Sequence, residues 1–178
     1  MKKLLALLLA LLLALPMVAL GEAVPSPSAD AVEVPEVKIG QVLYAAHGEK
    51  CFAVITVAVI GDTIVAAYIE EFQPMDPATA TVVPNAETIF GTEGNLLASK
   101  RLNSDLYSAN MAKAGSTVAL ADNYAALEAF AAGKTVAELE AEVIGKEATA
   151  VVDAVAGCTL VDAQGYLTGI IEAAKAAK

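Results

Sequence analysis

The chain has 178 residues and a formal net charge of −10, from 21 acidic and 11 basic side chains. That balance speaks against nucleic acid as a partner, which needs a basic footprint, and against adhesion to an anionic membrane surface. Once the N-terminal stretch is set aside, the length suits one domain rather than two.

Residues 1–21 read as a secretory signal peptide. Lys2 and Lys3 precede an apolar Leu/Ala run over residues 4–15, Pro16 breaks it, and Ala19 and Gly21 offer the small residues a signal peptidase reads. The run to Leu20 is slightly short of the ~20 residues of a spanning helix, so no stable membrane insertion is expected after cleavage. Cleavage removes two lysines and no acid, leaving −12. Residues 22–37 hold Pro25, Pro27, Pro35, Ser26 and Ser28 without helical period, which is the pattern of a solvated linker. Residues 38–178 form the expected domain.

Residues 41–46 read as a short strand and residues 47–50 as the polar turn after it. Residues 51–60 are β-branched and apolar on both faces, so this strand asks for cover on both sides. Gly61-Asp62 is a two-residue hairpin signal, and residues 63–72 are the return strand. Proline and glycine then interrupt residues 73–95, a long loop with room for a short strand at residues 79–83.

Residues 96–99 are apolar. Asn103 is placed to cap a helix that ends before Gly115. Residues 116–121 read as a strand, and Asp122 as the cap of a helix carrying Tyr124, Leu127 and Phe130. Thr135 and Glu138 have capping-box spacing ahead of Val136, Leu139 and Val143. Residues 149–155 read as a strand. Asp162 then caps a last helix in which Ala163, Tyr166, Leu167, Ile170, Ile171 and Ala174 keep the i, i+3, i+4 rule. A hairpin first, then strands and helices together, gives an α+β domain: a β-hairpin and mixed sheet packed against helices, ending in an amphipathic C-terminal helix.

The usual chemistries lack residues. His47 is the single histidine, no Gly-x-Ser-x-Gly occurs, and its polar turn suits a solvated side chain. One histidine and two distant cysteines lack zinc spacing; calcium and phosphate-loop motifs are also missing. Cys51 and Cys158 are either a disulfide, if the exterior is oxidising, or two small buried side chains; both readings stay open. Lys100-Arg101 is the only adjacent basic pair after residue 3. It is either a phosphate-attracting pair or a solvated surface held in local salt bridges.

The stretch Asp153-Ala-Val-Ala-Gly-Cys-Thr159 reads as a strand-to-helix turn. Gly157 allows the backbone a tight turn, and Thr159 brings a hydroxyl towards the start of the last helix, where N–H groups and the helix dipole favour a phosphate. The bland alternative is that Gly157 only turns the chain and Thr159 only satisfies nearby backbone.

This stretch resembles the Asp-x-x-Ser/Thr-Gly-Ala-Thr signature of the FMN-binding domain family found in Rnf and sodium-pumping NADH:quinone reductase complexes. Asp153, Gly157 and Thr159 match; Ala156 stands where a hydroxyl residue is usual and Cys158 where alanine is usual. Tyr44-Ala-Ala-His-Gly48, the hairpin, Phe72-Gln73 and Leu97-Ala-Ser-Lys-Arg101 are also similar to small secreted proteins of that family from Gram-positive bacteria. The resemblance implies FMN joined to Thr159 by a phosphoester, with a flavin transferase as the attaching partner and Asp153 assisting it. It also implies electron transfer with an unknown redox partner in an extracytoplasmic, secreted or cell-surface setting, without catalytic residues of the chain's own. A flavin-free cell-surface interaction or structural module with the same fold is the alternative, favoured by Ala156, Cys158 and the absence of tryptophan.

Overall fold

A computed structural model of the chain describes residues 34–48, 50–86 and 94–178. The expected signal peptide and residues 22–33 of the expected linker lie outside the described residues; its last residue, Val37, is the first of the sheet. Residues from Pro35 to Lys178 form one compact unit.

Four strands, β1 (Val37–Tyr44), β2 (Phe52–Ile60), β3 (Thr63–Met75) and β4 (Leu96–Ser99), lie side by side in chain order. The α+β class holds. Within it every pairing is antiparallel rather than mixed, because each connection simply reverses the chain. Gly61 and Asp62 form the expected two-residue turn between Ile60 and Thr63, with Gly61 at φ 62°. The register slips between Ala58 and Val59, so Val65 bulges out to solvent while Ile64 is fully buried. Pro74 is tolerated because β3 has left β2 at Phe72 and pairs there only with β4.

Five helices follow: α1 (Ser104–Lys113), α2 (Leu120–Ala131), α3 (Val136–Val143), α4 (Ala148–Ala154) and α5 (Ala163–Lys175). The Thr135–Glu138 capping box forms: Glu138 N–H donates to Thr135 Oγ1 (3.2 Å) and Thr135 N–H to Glu138 Oε2 (2.8 Å). α5 buries the whole expected stripe, from Ala163 to Ala174. Each large aliphatic on it contributes roughly 1.5–3 kcal/mol of burial. Glycines let α5 lie close to the sheet: a Cβ on Gly40 would stand 1.8 Å from the Ala173 carbonyl oxygen.

Several local expectations change. Residues 116–119 are irregular and α2 begins at Leu120, because hydroxyls of α1 supply its cap: Leu120 N–H donates to Ser108 Oγ (2.9 Å) and Ala121 N–H to Ser104 Oγ (3.2 Å). Asp122 therefore lies inside the helix and caps nothing. Residues 149–155 are helical over Ala148–Ala154, since Val151 and Val155, four apart, both reach the core. Residues 79–83 are not a strand; Thr81 is instead pinned by Asn103, whose Oδ1 accepts from Thr81 N–H at 2.6 Å. That leaves Asn103 without a capping bond to its own helix.

Candidate functional site

A cleft of about 430 Å³ opens between the end of α1, the turn after β1 and the segment leading into α5. Its walls are Tyr107, Met111 and Leu120 on one side and Thr159, Leu160 and Tyr166 on the other, with His47, Lys100 and Asp162 as the ionisable members.

Thr159 reaches this wall through a short relay. α4 ends at Val155, and Gly157 at φ +85° turns the chain. Cys158 N–H then donates to Val155 O at 3.1 Å, and the Cys158 side chain enters the core. Thr159 itself is exposed, and its N–H donates to Asn123 Oδ1 at 2.6 Å. Asn123 is fully buried, and its amide nitrogen donates to the carbonyls of Val118 (3.2 Å) and Ala119 (3.0 Å). The Leu160 N–H is turned to the Cys158 sulfur, whereas among the described residues nothing accepts from the N–H groups of Val161 and Asp162, which follow along the cleft.

The signature is thus split. Thr159 lines the cleft, whereas Asp153 is exposed on α4 and Ala156 and Gly157 are exposed on the turn, none of them on the cleft wall. The turn joins two helices rather than a strand and a helix. Cys51 and Cys158 are both buried free thiols and form no disulfide. Burial raises both above the ordinary thiol range; for Cys51 the negative charge of Glu71 adds to it, to about 11.

The basic pair is neither solvated nor free to draw a phosphate. Lys100 is buried, with Nζ 2.7 Å from Glu71 Oε2 and 4.6 Å from the centre of the Tyr107 ring. The same Oε2 accepts from Tyr124 (2.5 Å) and Tyr166 (2.8 Å), while Oε1 has no partner among the described residues. Burial pushes the Glu71 carboxyl up, but the bonds from Lys100 and the two tyrosines outweigh it, and the net shift is downward. Both tyrosines are pushed up, first by burial, and so remain donors. Arg101 pairs with Glu128, donates to Ile69 O and covers the Tyr68 ring.

His47 is the other surprise. Its Nδ1 stands 2.5 Å from Asp162 Oδ2, tying the turn after β1 to the first residue before α5. A smaller cleft, about 370 Å³, shares His47 and Tyr107 and reaches Cys51. Both basic side chains on the main cleft, His47 and Lys100, therefore face a carboxylate already. Asn123 had one sequence signal: a polar residue beside Tyr124 on the buried side of α2, where hydrocarbon is usual. Tyr107 had none short of the fold.

No family model, no curated protein and no solved structure matches the chain. The likeness to FMN-binding domains accordingly rests on its own residues, and the cleft geometry has to be weighed beside it.

Proposed function

We propose that the chain is an exported flavoprotein that carries FMN on Thr159 through a phosphoester and passes electrons outside the membrane. The observation that carries this reading is the position of Thr159: it is an exposed residue and the one signature residue on the wall of the 430 Å³ cleft. The residues fit such a group at both ends. The N–H groups of Val161 and Asp162 are available for a phosphate. Tyr107, Met111, Leu120 and Tyr166 give apolar and aromatic walls for a ring system, in a volume ordinary for ligand sites.

When bound, FMN supplies the redox chemistry; the chain holds it, shields it from water and sets its polar surroundings through Lys100 and Tyr166. Asp153 lies off the cleft, where a flavin transferase can reach it during attachment. The acidic surface suits brief docking to a basic redox partner. Export is expected from residues 1–21, and no described helix is long and apolar enough to cross a membrane.

The flavin-free reading has its own support. Ala156 brings no hydroxyl to the turn, Cys158 points inward, and both His47 and Lys100 already face carboxylates. Co-expression with a flavin transferase separates the two. Flavin fluorescence that survives denaturation, together with a mass increase of FMN less water, is expected, and Thr159→Ala abolishes both. A colourless chain of unshifted mass would leave the flavin-free module as the function.

A further inference from the structure

The two basic side chains of the main cleft meet their carboxylates in different ways. His47 and Asp162 both stand on the cleft wall, 2.5 Å apart, so a bound ring meets that pair as a whole. Lys100 stands on the wall too, but its partner Glu71 is fully buried and is not among the wall residues. The buried pair thus turns its positive end to the cleft. The Glu71 charge is also shared out: besides Lys100 at 2.7 Å, Oε2 accepts from Tyr124 (2.5 Å) and Tyr166 (2.8 Å). An ammonium has three N–H donors. One goes to Glu71, and among the described residues no other oxygen accepts from Lys100. The Tyr107 ring, centred 4.6 Å from Nζ, offers a π face and no lone pair. Lys100 is 1% exposed, so little water screens what remains of its field.

We infer, on the reading that this cleft takes a flavin, that Lys100 binds the electronegative edge of the ring and holds its reduced form more tightly than its oxidised form. A flavin ring presents carbonyl oxygens and ring-nitrogen lone pairs, the acceptors that a spare ammonium N–H takes. Two electrons from the redox partner and one proton from solvent leave the reduced ring with one negative charge. A cation beside the ring stabilises that charge and does much less for the neutral oxidised ring, so the difference raises the reduction potential. His47 does not supply this effect, because the Asp162 carboxylate shares its place on the wall and opposes a negative ring. A tenfold preference for the reduced form corresponds to about 30 mV for a two-electron couple.

Equilibrium dialysis of the full chain, made without a flavin transferase, against lumiflavin tests this at pH 8, where the free reduced ring is an anion. Lumiflavin carries the ring without a phosphate, so attachment plays no part. The oxidised form is measured in air and the reduced form under dithionite without oxygen. Both are expected to bind, the reduced form about tenfold tighter. Glu71→Gln/Lys100→Met removes both charges yet keeps an acceptor for Tyr124 and Tyr166. At temperatures where it stays folded, it should bind the oxidised ring within about threefold of the parent chain and lose the preference. Glu71→Gln alone leaves the cation without its counter-charge and should widen the preference. A purely structural role for the pair would move both forms alike. Lumiflavin that binds in neither state, equal binding of the two forms by the parent chain, or a preference that survives the double substitution overturns the inference. The preference without an FMN mass increase on co-expression supports the inference and overturns the phosphoester on Thr159; a mass increase without the preference does the reverse.

Discussion

Asn123 Oδ1 accepts the Thr159 N–H at 2.6 Å, and the Thr159 hydroxyl lies 3.4 Å from the same oxygen. A buried amide on α2 thus fixes the segment that carries Thr159, while its nitrogen locks the loop before α2. Asn123→Ala strands the Thr159 N–H and removes two bonds to carbonyls that keep other donors, Ser116 Oγ to Val118 and the residue-123 N–H to Ala119, and is expected to cost about 2 kcal/mol. Asn123→Asp keeps the acceptor but turns a carboxylate oxygen towards two carbonyls in a fully buried site, so near neutral pH it should cost at least as much in chemical unfolding. If Thr159 takes flavin, Asn123→Ala also lowers its occupancy at temperatures where the fold persists, read by intact mass.

Glu71 and Lys100 form a buried pair at 2.7 Å, both at most 1% exposed. Removing one partner leaves an uncompensated charge in the core. Glu71→Leu or Lys100→Met alone is expected to destabilise by about 3–5 kcal/mol, and the double replacement to recover part of that loss, since Tyr124 and Tyr166 lose their acceptor. A double-mutant cycle from urea unfolding measures the recovery.

The same carboxylate gives an acid limb. Its folded-state pKa is lowered, so the unfolded state binds the proton more tightly. The stabilisation is complete above the ordinary glutamate range and is lost as pH falls through the lower folded value. Urea midpoints against pH should show a drop below about pH 4 that flattens in the Glu71→Leu/Lys100→Met double variant. A drop of unchanged size in that variant assigns the acid limb to other carboxylates.

Cys51 and Cys158 give a chemical test of the core. Both are buried thiols, and Cys51, at about 11, holds almost no thiolate near neutrality. The native chain at pH 8 should react slowly with a thiol reagent, and the denatured, unreduced chain should titrate two thiols. Zero reactive thiols would mean a bridge and a core packed differently from this one.

The hairpin and α5 were legible because their signals are local: a two-residue Gly-Asp turn between apolar runs, and a stripe with a 3.6-residue period. Residues 116–121 and 149–155 misled for one reason. Small and β-branched residues suggest strands, but what decided them was remote: serines of α1 that cap Leu120 and Ala121, and a core that receives Val151 and Val155. The candidate site was half legible. Thr159 stood out by motif, whereas Lys100 looked like surface until the fold set Glu71 beside it. Glu71 carried a weak signal, since it lies two residues after Ile69 and so falls on the same core face of β3.

The seat of α5 rests on three glycines, and they should not respond alike to a methyl group. At Gly40 a Cβ would stand 1.8 Å from Ala173 O, and at Gly165 2.4 Å from Ala46 O; both obstacles are backbone. At Gly169 the nearest atom is Ile55 Cδ1, at 2.3 Å, the end of a flexible side chain. Overpacking that backbone cannot relieve costs about 3 kcal/mol or more, so Gly40→Ala and Gly165→Ala should sharply lower the melting temperature. Gly169→Ala should cost less, and Ile55→Val should offset part of it. Gly165→Ala has a second expected effect, because Ala46 adjoins His47 and Gly165 lies three residues after Asp162. Pushing the two segments apart breaks the His47–Asp162 contact, and the His47 ring resonances in NMR should move towards those of Asp162→Asn. Unmoved resonances with full stability would show that α5 tolerates the methyl group, and that its seat on the sheet is looser than these distances require.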